Sequence, residues 1–171
     1  MQLHDAQKQL EELVKLQPNF AYGWNLLIPV YARQQKWAEA EHAADKAKSL
    51  GPTDPVIAHS IKRLNQALAL SKTAVDGEAE TYAREAQIQI LLGAPEAARR
   101  ILDPAMQWMP TAVPLVMTYA RSYVADKRFD LAEALLLRTA ELDPNHKSTW
   151  SQALANLQAA RPQTASAIGA E

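Results

Sequence analysis

The stretch "RFDLAEALLLRTAELDPN", residues 128–145, has the same pattern as "KWAEAEHAADKAKSLGPT", residues 36–53. Each is a run of small and apolar residues that closes at a proline. The prolines in this role are spaced by 34 residues in two pairs, Pro18 with Pro52 and Pro110 with Pro144. A fixed period of this length is the signature of a repeat architecture, so we expect a repeat protein whose function is to hold a partner.

Counting back from the last three of these prolines defines three windows of 34 residues, which begin at Ala21, Ala79 and Val113. Similar residue types recur at the same window positions. Alanine occupies position 20 in all three windows, as Ala40, Ala98 and Ala132, and position 27 in the first two, as Ala47 and Ala105, while Ala140 lies one position later in the third. Bulky residues occupy the first half of the windows, among them Trp24, Leu27, Tyr31, Tyr82, Tyr119 and Tyr123. Alanine lets two helices approach closely while bulky side chains fill the space between them, so each window predicts a packed pair of helices.

This register resembles the tetratricopeptide repeat, a helix-turn-helix unit. The resemblance implies an all-α fold, a helix-turn-helix solenoid of about nine helices with an irregular extra helix between the first and second full repeats. The chain departs from the family pattern at Ile28, at Glu85 and at window position 15, where only Gly93 is a glycine. We expect the local helix spacing to differ at those sites.

The register also predicts how the chain is divided. Residues 1–18 form a half-repeat with only its second helix, or an N-terminal cap. Residues 19–52, 78–110 and 111–144 are the repeat units, and 53–77 are an irregular insert with a single helix. Residues 145–161 form a C-terminal capping helix and 162–171 a disordered tail. A half-repeat at the start suggests a chain cut from a longer protein, or one that begins with half a unit.

The insert is predicted to be one helix with Asp54 as N-cap and Pro55 in the first turn. Its apolar seam consists of Ile57, Ile61, Leu64 and Leu68. Two interpretations remain open. Either the helix joins two blocks of repeats and the direction of the array changes there, or it belongs to a degenerate repeat whose second helix merges with the helix of about 78–92.

Two prolines, Pro29 and Pro104, fall inside predicted helices. Proline has no N–H and leaves the carbonyl four residues earlier without its helical donor. We therefore expect each of these helices to bend or to end early.

Composition excludes several classes of protein. The net charge of −1, with both signs scattered, argues against a nucleic-acid partner. Without cysteine the chain has neither disulfides nor thiolate metal sites, and without a long apolar run this segment is not expected to insert into a membrane. The localisation stays open between cytoplasm and periplasm, and the parent protein could carry a membrane anchor.

Motifs for catalysis are also missing from the sequence. The four histidines lie in four different predicted elements, and no nucleophile elbow or glycine-rich phosphate loop occurs. Paired carboxylates such as Glu39 with Glu41 do not point at one another on a helix. We therefore expect a protein that is not an enzyme and that has no catalytic, cofactor-binding or metal-binding residues.

The family resemblance implies a concave groove lined by the first helix of each repeat. Carried onto this chain, the predicted groove residues are Tyr22, Asn25, Arg33, Gln87, Ile90, Met117, Arg121 and Val124. The partner is expected to be a peptide or helix of another protein, with apolar anchors and an acidic side chain near Arg33 or Arg121. The alanine-rich and cysteine-free composition suggests, by analogy, a bacterial assembly such as secretion, pilus, polysaccharide or envelope machinery.

The alternative function is homo-oligomerisation through the first helix. Its leucines, Leu3, Leu10 and Leu13, lie on one face that a preceding repeat would normally cover. A fully buried leucine contributes roughly 1.5 to 3 kcal/mol, so an uncovered seam of this kind would favour a homodimer.

Overall fold

The computed structural model describes residues 3–161, which lie in nine α-helices, a short 3₁₀ helix and the turns between them, with no strand in this range. The helices are α1 (Leu3–Leu16), α2 (Ala21–Arg33), α3 (Trp37–Leu50), α4 (Pro55–Ser71), α5 (Glu78–Leu91), α6 (Pro95–Trp108), α7 (Val113–Ala125), α8 (Phe129–Leu142) and α9 (Lys147–Ala160). The predicted all-α repeat fold, with α4 as its extra helix, is confirmed. The predicted disordered tail, 162–171, lies outside the described residues, as do residues 1 and 2.

The same turn ends three of the helices. Gln35 after α2, Gly93 after α5 and Lys127 after α7 have φ angles of 59°, 78° and 61°. The next residue then donates its N–H to a carbonyl five residues back, in the pairs Lys36 to Tyr31, Ala94 to Gln89 and Arg128 to Tyr123, at 3.0, 2.9 and 2.9 Å. This is the left-handed C-terminal turn that usually contains glycine. Window position 15 therefore keeps one turn geometry in all three repeats although only one residue is glycine.

The helices form two compact units. The first unit comprises α1 to α4 together with residues 87–94, and the second comprises residues 76–86 and those from 95 onward. In the first unit α2 packs on α1, α3 and α4, and α4 also packs on α3. Four alanines of α3 are fully or almost fully buried in this core, namely Ala40, Ala43, Ala44 and Ala47. Their small side chains let α3 lie close to α2, as the repeat register predicts.

Helix α4 packs through its predicted seam. Ile57, Leu64 and Leu68 are buried, and Ile61 packs against the same core. The Asp54 carboxylate accepts hydrogen bonds from the N–H groups of Val56 and Ile57 at 2.8 and 3.2 Å, so the helix has the expected N-cap.

The insert also contacts the end of α5. Ile88 and Leu92 belong to the core of the first unit, and the Arg63 guanidinium of α4 donates to the carbonyls of Leu91 and Ile90. A cation on the last carbonyls of a helix stabilises its C-terminus. We therefore propose that α4 and the second half of α5 form a degenerate repeat, the second of the two interpretations of the insert.

In the second unit α7 packs on α6 and α8, and α9 packs on α8. The Trp150 side chain of α9 is completely buried beside Val116, Leu136 and Leu157. Its indole N–H has no hydrogen-bond partner within the described residues. Helix α9 thus closes the core of this unit with one large side chain.

A partly buried arginine joins α6 to the end of α7. The Arg99 guanidinium donates to the Ser122 carbonyl at 3.1 Å and to the Asp126 carboxylate at 2.5 Å. It also lies over the Tyr123 ring, 5.2 Å from the centroid. This side chain therefore satisfies a carbonyl at the C-terminus of α7 and holds the two helices together.

The two internal prolines do not end their helices. Pro29 lies within α2 and Pro104 within α6, and each helix continues for about one turn beyond its proline. Of the two expected consequences, a bend or an early end, the early end does not occur, because tertiary packing on both helices outweighs one missing backbone hydrogen bond.

Candidate functional site

The predicted groove residues lie on three helices. Tyr22, Asn25 and Arg33 are on α2, and Met117, Arg121 and Val124 are on α7. The remaining two, Gln87 and Ile90, are half-buried in the second half of α5.

The three residues of α7 line a single depression of about 260 Å³ within the second unit. Ala120 of α7 also lines it, and its other walls come from α8 and α9, through Leu136, Ala153, Asn156, Leu157 and Ala160. Arg121 is exposed and has no ion-pair partner in the part of the chain that the structure describes. The depression is thus mainly apolar, with one cation and one amide at its edge.

Sequence reasoning missed the wall that α9 supplies. The predicted groove residues stop at the third full repeat, whereas the register itself continues to Trp150, which occupies the fourth residue of a further window. Carrying the predicted groove positions into this last helix would have indicated Ser148, Ser151, Ala155 and Gln158, none of which lines the depression. The individual residues, such as Asn156 and Ala160, depend on how α9 sits on α8 and have no signal in the sequence.

Tyr22 is engaged by the protein itself. Its hydroxyl donates to the Asp54 carboxylate at 2.5 Å. This hydrogen bond raises the pKa of Tyr22 and is the main reason that the pKa of Asp54 is lowered. The ring remains exposed, so Tyr22 can offer an apolar surface while its hydroxyl secures the N-terminus of α4.

Asn25 and Arg33 belong to a polar stripe on one face of α2. Asn25 is 7% exposed, and its side-chain oxygen has no partner within residues 3–161, nor does the buried Nε of Arg33. Pro29 lies midway between them and cannot donate to the Asn25 carbonyl. A buried polar atom without a partner costs about 1 to 3 kcal/mol, so the stripe has unused hydrogen-bonding capacity.

The leucines proposed for self-association are not freely exposed. Leu3, Leu10 and Leu13 are each half-buried, because α1 lies against α2 and Leu10 packs on the core of the first unit. Val14 is buried beside them, and the exposed apolar side chain of α1 is Leu16, at 83%. The seam is therefore largely used within the unit.

Polar contacts also hold α1 in place. The Tyr31 hydroxyl donates to the Glu11 carboxylate at 2.9 Å, and the Gln7 side-chain amide donates to the same oxygen at 2.7 Å. The bond from Gln7 is the main cause of the lowered pKa of Glu11. Burial, followed by the bond to Glu11, raises the pKa of Tyr31 to about 12. Tyr31 therefore stays protonated and keeps donating to α1 throughout the neutral range.

Residues 3–161 contain no group of three or more histidine or acidic side chains placed to hold a metal ion. Within the same residues, no helix is both long and apolar enough to cross a bilayer.

Residues 89–157 match the family model of the tetratricopeptide repeat. This segment resembles tetratricopeptide repeats. The matched segment includes α6, α7 and α8 and most of α9, so it covers all the helices that line the depression. Tetratricopeptide repeats generally mediate protein–protein interactions and are typically not catalytic. No curated protein and no solved structure gave a match to the chain.

Proposed function

We propose that the chain is a non-catalytic scaffold that binds a segment of a partner protein in the depression between α7 and α9. The observation that carries this proposal is that Met117, Arg121 and Val124, chosen from the repeat register, line one apolar depression. A site of this kind provides a few apolar contacts and a small number of polar groups that fix orientation.

The lining indicates the chemistry of the partner segment. Met117 has a flexible thioether that adapts to different apolar side chains, and Val124 adds a rigid apolar wall. The unpaired Arg121 favours a carboxylate next to the apolar anchor. The segment therefore has one large apolar residue followed or preceded by an acidic one.

The polar stripe of α2 supports a second contact of the same kind in the first unit. Arg33 has no ion-pair partner among residues 3–161, and the side-chain oxygen of Asn25 lacks a donor. A partner carboxylate would pair with the outer nitrogens of the Arg33 guanidinium, whereas the Asn25 oxygen and the Arg33 Nε are buried and stay out of a partner's reach.

The test is a random peptide library displayed on phage and selected on the full chain, followed by fluorescence anisotropy of the selected peptides. We expect enriched peptides to combine an apolar residue with an acidic one. Val124→Glu should weaken the affinity of these peptides by about 10-fold or more, because it places a charge against the apolar anchor. Arg121→Glu should weaken the affinity of these peptides by about 3- to 10-fold, with the larger effect at low salt.

The matched control is Arg100→Glu, the same charge reversal at an exposed arginine of α6 that does not line the depression. Thermal unfolding of each variant shows whether the fold is retained. Peptides that bind Val124→Glu and Arg121→Glu as tightly as the unmodified chain would refute the assignment of the depression.

The wider setting of this scaffold is a proposal that rests on composition. An alanine-rich, cysteine-free repeat chain fits a bacterial secretion, pilus, polysaccharide or envelope assembly. Chemical cross-linking in the native cell, followed by mass spectrometry, identifies the neighbours of the chain. Neighbours drawn only from unrelated soluble enzymes would contradict this setting.

A further inference from the structure

A second and larger groove lies in the same unit, on a different face of α7. It has a volume of about 430 Å³, with α6 and α8 as its walls and Tyr119 and Tyr123 of α7 as its floor. The walls carry Asp103, Met106, Pro110, Leu131, Ala134, Leu135, Arg138, Thr139 and Leu142. Met117, Arg121 and Val124 are absent from this lining, so the groove is separate from the depression between α7 and α9.

The floor of the groove is held rigidly. The Tyr119 hydroxyl donates to the Asp103 carboxylate at 2.6 Å, and the Tyr119 and Tyr123 ring centroids are 5.3 Å apart. The guanidinium groups of Arg99 and Arg128 lie 5.2 and 5.6 Å from the Tyr123 ring centroid. Because these rings are already fixed, a ligand that stacks on them loses little side-chain entropy.

The shape of the groove suits a helix. Its wall on α8 extends from Leu131 to Leu142, which is about 16 Å, or three helical turns. Leu131 and Leu135 are half-buried and Leu142 is 58% exposed, so apolar surface continues along the whole wall. A partner helix with apolar residues at i, i+4 and i+7 would cover this length.

The charges of the groove favour an acidic ligand. Arg138 is exposed on the α8 wall and has no ion-pair partner within residues 3–161. Arg128 lies over the floor, so two arginines stand against one carboxylate of the lining, Asp103, which keeps its charge while it accepts the Tyr119 hydroxyl. The guanidinium of Arg99 is neutralised by Asp126. The remaining positive charge therefore attracts carboxylates beside the apolar stripe.

We propose that the groove between α6 and α8 binds an amphipathic helix of a partner protein whose apolar stripe is flanked by acidic residues. This inference does not rest on the proposed function of the other depression. It means that the unit can hold two different segments at once, one between α7 and α9 and one between α6 and α8.

The test uses a synthetic helical peptide with leucines at i, i+4 and i+7 and glutamates beside them, and a second peptide in which lysines replace the glutamates. Binding to the full chain is measured by fluorescence anisotropy. We expect the acidic peptide to bind at least about 10-fold more tightly than the basic one. Arg138→Glu should remove or reverse that preference, and Ala134→Glu should abolish binding of the acidic peptide, since it places a charge in the apolar wall.

The matched control is Arg100→Glu, the same charge reversal at an exposed arginine of α6 that lines neither this groove nor the other depression, and it should leave the affinity for the acidic peptide unchanged. Both Ala134 and Arg138 are exposed, so the variants are expected to fold, and thermal unfolding checks this. The proposal is overturned if the acidic peptide binds Ala134→Glu and Arg138→Glu as well as it binds the unmodified chain, or if it binds neither variant nor the unmodified chain. It is also overturned if Ala134→Glu instead converts a concentration-dependent dimer into a monomer, because the occupant would then be a second copy of the chain.

Discussion

At the scale of single residues, window position 15 shows how a repeat tolerates the wrong amino acid. Gln35 and Lys127 adopt the left-handed conformation, with φ of 59° and 61°, that Gly93 adopts at 78°. For a residue with a side chain this conformation costs about 1 to 2 kcal/mol. Both turns persist because a backbone hydrogen bond closes each of them, from the N–H of Lys36 in the first and of Arg128 in the second.

Replacing Lys127 with glycine should therefore stabilise the protein. We expect Lys127→Gly to raise the free energy of unfolding by about 0.5 to 1 kcal/mol, because relief of the left-handed strain exceeds the extra entropy of glycine in the unfolded chain. Chemical denaturation measures the change. Gly93→Ala is the matched control and should lower the free energy of unfolding. Equal stabilities for the unmodified chain, Lys127→Gly and Gly93→Ala would contradict this account.

At the scale of secondary-structure elements, the continuation of α2 and α6 through proline shows that packing decides where these helices end. Pro104 is exposed and makes no contribution to the buried core of α6, which consists of Ala98, Leu102 and Ala105. Its ring nevertheless leaves the Arg100 carbonyl without a helical donor.

Restoring that hydrogen bond should stabilise α6. We expect Pro104→Ala to raise the free energy of unfolding by about 1 to 2 kcal/mol, the gain being reduced by the greater freedom of alanine in the unfolded state. Chemical denaturation again provides the measurement. Pro29→Ala makes the same backbone change at a half-buried position, where the loss of ring contacts should reduce the gain; a loss of stability at Pro104 would disprove this reasoning.

At the scale of the whole molecule, the state of association depends on what covers α1. Leu10 and Leu13 pack against α2, and Leu13 lies 3.6 Å from the position that a Cβ of Gly23 would occupy. Only Leu16 on this helix is a largely exposed leucine. One exposed leucine is a much smaller apolar surface than a stable homodimer needs.

We therefore expect the chain to be a monomer in solution. Light scattering at several concentrations should give the same mass for the unmodified chain and for Leu16→Glu. The two proteins should also have equal free energies of unfolding. Leu13→Glu, the matched variant, should lower the free energy of unfolding by about 2 kcal/mol or more, because it buries a charge against α2. A dimer that Leu16→Glu separates without loss of stability would instead support homo-oligomerisation through α1.

The sequence by itself determined the helices, their repeat register and the small residues of the core. These properties follow from periodicity along the chain, since an apolar residue every three or four positions and an alanine at a fixed window position are local signals. The family resemblance implied Met117, Arg121 and Val124 as groove residues, and their spacing of four and three residues places them on one face of α7.

Only the tertiary structure decided which of these faces remain available. The hydroxyl of Tyr22 donates to Asp54, which is 32 residues away in the sequence. Leu10 and Leu13 are partly covered by the packing of α1 against α2. Tyr119 and Tyr123, which the register assigned to filling space between helices, form the floor of a groove between α6 and α8. The physical reason is that a groove forms only where several helices meet, and that whether a side chain is covered or finds a partner depends on how all the helices pack together.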